Sequence, residues 1–181
     1  MKRRMLTTLV AGFALAGLGA SSLMAHDDED GGRDRDGRFS VRTELEGFQE
    51  VPALSTTGHG TFRAWVDTKA NTITWKLTYD ELVAPVTQSH VHFGQKSVSG
   101  GVSFFLCTNL GNGPAGTQAC PATGPAELTG VVTPDLVIGP TGQGIPAGGF
   151  AKIVAALKDG TAYANVHSTQ YPAGEIRGQL R

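Results

Sequence analysis

At 181 residues, the chain is long enough for one sizeable domain and too short for two comfortable ones. Its 15 lysines and arginines nearly balance 16 aspartates and glutamates, which argues against a nucleic-acid groove or a polybasic membrane face. No G-x-S-x-G elbow, H-E-x-x-H helix or P-loop occurs, so the common hydrolytic and nucleotide-binding chemistries are set aside, and a non-enzymatic role is expected.

Lys2, Arg3 and Arg4 precede the apolar run Leu6 to Ala20, and the small residue Ala25 follows in SSLMA. That order of positive, apolar and cleavage regions predicts a signal peptide over residues 1–25 and a secreted or periplasmic protein. The apolar run is shorter than the roughly 20 residues that span a bilayer, so no membrane span is expected after cleavage. Cleavage removes three cations and no acid, taking the formal charge from −1 to −4. Residues 26–38, HDDEDGGRDRDGR, carry six acids and three arginines with no aromatic or β-branched side chain. Such a composition buries too little apolar surface to offset the entropy of ordering, and predicts a disordered acidic tail.

The single folded domain is expected over 39–181. Val41, Thr43 and Leu45 alternate with Arg42, Glu44 and Glu46, the period-two pattern of a half-buried strand. Phe62, Ala64 and Val66 repeat the pattern, as do Ile73, Trp75, Leu77 and Tyr79, and the intervening DTKAN supplies turn chemistry for an antiparallel hairpin. Further strands are expected at Ser89–Phe93, Val102–Leu106, Glu127–Thr133, Ala162–His167 and Glu175–Leu180, separated by Gly- and Pro-rich punctuation. Phe150, Ile153, Val154 and Leu157 instead follow helical spacing, ended at Gly160. These elements predict an all-β fold, an antiparallel β-sandwich or barrel of the immunoglobulin-like kind with one short helix. Two cysteines, Cys107 and Cys120, bracket the loop TNLGNGPAGTQA. In an oxidising compartment they read as one disulfide, the alternative being a pair of thiolate ligands.

The segments ELEGFQEVPALSTTGHG, TITWKLTYDEL, SHVHFG, FLCTNLG, ACP and AYANVHSTQYPAGEIRGQL, in that order, resemble the CHRD (chordin) domain family in its exported bacterial type. The resemblance runs from about Phe39 to Arg181 and is most specific at HVHFG and NVHSTQYPAGEIRGQ. It implies a secreted β-rich domain, with extracellular protein binding in the animal members. The partner expected here is an extracellular or envelope protein, contacted through loops such as Cys107–Cys120 and Gly139–Gly149.

On an extended strand, residues i and i+2 share a face, so His90 and His92 project together and Val91 and Phe93 oppose them. His167 shares its face with Tyr163 and Asn165. If the two strands are neighbours, three imidazoles can converge on one copper or zinc ion, with a vacant position for water or a small ligand. The competing reading is a structural polar network in which Glu175 and Arg177 form a charge pair that holds the last strand. His59, in GHG, is a candidate further ligand. HVHFG also looks like the paired copper histidines of copper-zinc superoxide dismutases, which makes a dismutase-like copper redox protein the alternative function. That family needs further histidines soon after the pair, and none occurs here between His92 and His167.

Overall fold

The computed structural model describes residues 36–181, so the expected signal peptide and most of the acidic tail lie outside the described residues. Among the described residues, eight strands and one α-helix follow in chain order: β1 (Arg38–Glu46), β2 (His59–Asp67), β3 (Thr72–Asp80), β4 (Val86–Phe93), β5 (Gly101–Thr108), β6 (Ala126–Val132), α1 (Phe150–Asp159), β7 (Ala162–Ser168) and β8 (Ile176–Gln179).

Alternation sets the register of the first three strands. Phe62 faces Leu77, Ala64 faces Trp75 and Val66 faces Ile73, all buried, while Arg63, Trp65 and Lys76 take the outer face. A slip of one residue would turn every apolar side chain outward, so burial specifies this pairing. Full burial of a side chain such as Leu77 or Ile73 contributes about 1.5–3 kcal/mol. At the β2–β3 turn, the Asp67 carboxylate accepts from the Lys69 and Ala70 N–H groups, and Asn71 takes the left-handed conformation at φ 53°.

All strands belong to one antiparallel sheet in the order β5-β4-β7-β8-β1-β2-β3-β6, which curls into a nearly closed barrel. Its two edges, β5 and β6, are bridged by the loop between them. The Gln118 amide donates to the carbonyls of Leu106 on β5 and Thr129 on β6, at 3.2 and 3.1 Å. The Cys107–Cys120 disulfide forms as expected and anchors that loop to β5. Edge backbone that would otherwise offer itself to other chains is thereby occupied.

The apolar stripe of α1, Phe150, Ile153, Val154 and Leu157, joins the main core with Leu45, Val91, Phe104, Val166 and Leu180. Gly160 ends the helix in the left-handed region, its N–H reaching the carbonyls of Ala156 and Leu157. Among the described residues, no helix is long and apolar enough to cross a membrane.

Candidate metal centre

Strand β7 lies between β4 and β8 and is buried along its whole length on both faces. Its small residues Ala162, Ala164 and Val166 enter the apolar core. The alternate residues Tyr163, Asn165 and His167 occupy the other face. There, β4 pairs with β7 so that His90 stands opposite Asn165, His92 opposite Tyr163 and Gln88 opposite His167. Against β5, the register of β4 shifts between Ser89 and His90 and again between Val91 and His92, irregularities of the kind that re-aim side chains at sites.

A polar sheet face would ordinarily be wet. This one is roofed: His90, His92 and His167 are 2, 7 and 5 % exposed. The His92 Nδ1 atom lies 3.0 Å from the carbonyl oxygen of Gly100, in the β4–β5 loop, and His167 Nδ1 lies 3.0 Å from that of Pro172, in the β7–β8 loop. Gly100 brings the two backbones too close for a side chain: a Cβ there would overlap the Phe93 carbonyl unless the loop shifted.

The three histidines converge as the strand faces require. One ligand atom from each lies within 4.8 Å of the others, a group that could hold a metal ion. His90 Nδ1 is 3.2 Å from His167 Nε2. Asn165 Oδ1 sits 3.0 Å from His92 Nε2 and 3.0 Å from His167 Nε2. His90 Nε2 is buried without a partner. Burial keeps the rings neutral: it pushes His90 down to about 2, with repulsion from His167 and His92 adding to the effect, and His92 down to about 4. His167 is also lowered by burial. Neutral imidazole is the form that ligates a metal, and backbone carbonyls on Nδ1 are the outer contacts that orient such rings.

Glu50, from the segment after β1, completes the surroundings. Burial pushes its carboxyl up to about 7, opposed by the charge of Arg177, the Val51 N–H and the Asn165 amide. Arg177 lies with its guanidinium carbon 3.4 Å from the centroid of the Tyr163 ring and donates to the carbonyls of Gln95 and Val98, strapping down the β4–β5 loop.

The expected Glu175–Arg177 charge pair is not what the two residues make. Glu175 Oε1 instead accepts from the Thr56 hydroxyl at 2.7 Å and the Val83 N–H at 2.8 Å. Glu175 precedes β8, directly after Gly174 at φ 132°, so the strand alternation that would align it with Arg177 has not begun. His59 opens β2, exposed, with Nδ1 3.2 Å from the Thr57 carbonyl, and does not belong to the group of three. Sequence patterning placed Asn165 and Tyr163 on the correct face without assigning them a role. Glu50 was not anticipated, since nothing in EGFQEVP shows that this segment folds over β7 and β8.

A family model described as the CHRD domain matches residues 41–180. No curated protein and no solved structure matches the chain.

Proposed function

Because the chain belongs to the CHRD domain family, we propose that it is an exported, non-catalytic binding module that holds one copper or zinc ion on His90, His92 and His167. The observation that carries this reading is the convergence of three buried, neutral imidazoles from two neighbouring strands. A structural histidine needs one partner per polar nitrogen, whereas here ring nitrogens face one another and one is left bare. Export to a secreted or periplasmic location is supported by the amino-terminal sequence and by the disulfide.

The test is calorimetric titration of the chelator-stripped protein with Cu(II) and with Zn(II), repeated on His92→Ala. One-to-one binding that is lost in the variant is the expected result; the absence of binding heat from the wild type overturns it. A dismutase-like redox role is less well supported, since no histidine occurs between His92 and His167 to build a second metal position. Docking of an extracellular or envelope protein is supported by the family to which the chain belongs, and the disulfide-closed loop that carries the exposed Leu110 is the first place to probe it. Capture from an envelope extract that is lost in Leu110→Asp tests it.

A further inference from the structure

A net charge near zero conceals how the fold sorts its charges. On the outer face of β1, β2 and β3, Arg42 stands directly opposite Arg63, and Arg63 directly opposite Lys76. Past β8, Arg181 exchanges both backbone hydrogen bonds with Arg42, at 2.8 and 3.2 Å, and so stands opposite Arg42 on its other side. Four cations from adjacent segments of the sheet therefore share one row, about 14 Å long at the usual strand spacing. Opposed like charges destabilise a sheet, so strand pairing gives no reason for the row. Lys76 shares its charge with Glu127 at 2.8 Å, whereas the Arg63 guanidinium lies over the Trp65 ring, 4.9 Å from its centroid. Beside the row opens a groove of about 630 Å³, lined by Arg42, Arg63 and Arg181 together with Glu44 and Thr61.

What flanks the row limits what it can take. On one side Trp65, 41 % exposed, stands between Ser40 and Thr74. On the other, about 7 Å along the strands, Glu44, Thr61, Thr78 and Glu127 form the next row, and Glu46, His59 and Asp80 the one after. A bilayer or a nucleic-acid duplex laid on the cations would press its further negative charges against those carboxylates. A single anionic chain avoids them. The Trp65 indole offers such a chain an apolar platform, and the Thr61 and Thr74 hydroxyls offer neutral hydrogen bonds. A pyranose ring bearing a carboxylate uses all three features. Its C–H face packs on the indole, its hydroxyls meet threonine, and its carboxylate takes the planar guanidinium fork in two parallel bonds.

We propose that the row of Arg181, Arg42, Arg63 and Lys76, with Trp65 beside it, binds an acidic polysaccharide of the carboxylated kind, built of uronate residues. The site lies on other strands than the three histidines and does not rest on the metal reading. Biolayer interferometry of the chelator-treated protein on immobilised polygalacturonate tests it. The wild type should bind polygalacturonate and not neutral dextran, more weakly as salt rises. Arg63→Gln and Arg42→Gln should each weaken binding about tenfold, and Trp65→Ala severalfold. Lys152→Gln, which removes a cation on α1 outside the row, should leave binding unchanged. All four side chains are exposed, so these substitutions leave the core intact. Absence of binding by the wild type, or a loss in Lys152→Gln equal to that in Arg63→Gln, overturns the proposal. Equally tight binding of poly-glutamate or of single-stranded oligothymidylate also overturns it, since the row would then read charge and not a sugar.

Discussion

The imidazole of His92 lies flat against the phenol ring of Tyr163, with centroids 4.7 Å apart and planes 3° from parallel. Because β7 stands between β4 and β8, Arg177 meets the same phenol from the other side, and the three side chains form one stack across the sheet. The Tyr163 hydroxyl also accepts from the Gly100 N–H at 3.1 Å, so the ring that supports His92 also fixes the loop that holds its Nδ1. Tyr163→Ala removes both, and should cost about 3–5 kcal/mol in urea unfolding. Tyr163→Phe keeps the stack and should cost about 1 kcal/mol. Equal losses in the two variants would show that the stack contributes nothing.

Gly100→Ala tests the roof itself. Its Cβ would overlap the Phe93 carbonyl, so the β4–β5 loop must shift and carry the Gly100 carbonyl away from His92. The expected loss is on the order of 1–3 kcal/mol, with Zn(II) binding weakened in calorimetry. Unchanged stability and affinity would mean that the loop is not what orients His92.

Acidification should destabilise the metal-free protein. In the folded state, His90, His92 and His167 all titrate below their ordinary value of 6.5. Between about pH 6.5 and 4.5 the unfolded chain binds protons that the folded chain excludes, so stability falls as pH falls, by up to about 1.4 kcal/mol per pH unit for each ring that stays neutral. Glu50 works in the opposite sense. Raised from 4.5 to about 7, it binds a proton in the folded state that the unfolded chain releases, and its contribution declines as pH rises through that window. Three histidines outweigh one glutamate. Urea midpoints of chelator-treated protein at pH 6.5, 5.5 and 4.5 should therefore decrease in that order; a flat or rising series contradicts burial of neutral rings.

Reduction of the disulfide should loosen the barrel seam. Cys107 and Cys120 are 13 residues apart, and closing a loop of that length contributes about 3 kcal/mol in the chain-entropy model. The double variant Cys107→Ser/Cys120→Ser should lose about that much in denaturant unfolding. Hydrogen exchange should rise first at Thr108, whose N–H donates to the Gln118 carbonyl at 2.9 Å. Uniform exchange across all strands would show that the loop does not close the seam.

Much of the fold was legible because its signals are local. Ile73, Trp75, Leu77 and Tyr79 announce a buried face through period-two alternation, and Phe150, Ile153, Val154 and Leu157 announce a helix, whatever lies elsewhere. The pairing of β4 with β7 was not legible, since His167 lies 77 positions after His90 and no pattern along the chain names a strand's neighbour. Asn165 looks like any polar residue on a half-buried strand until the fold brings its side chain within 3.0 Å of both His92 Nε2 and His167 Nε2. The Glu175–Arg177 expectation failed for the same kind of reason: it assumed strand geometry one residue before the strand begins.

What the sequence alone determined is therefore the set of faces. Covalent geometry alternates side chains along a strand, so His90 and His92 had to emerge on one side and His167 had to share its side with Asn165 and Tyr163. Only the tertiary structure decided that these sides meet and that loops seal them from water. Sealing lowers the local dielectric, holds the imidazoles neutral and turns a polar sheet surface into a set of lone pairs directed at one point.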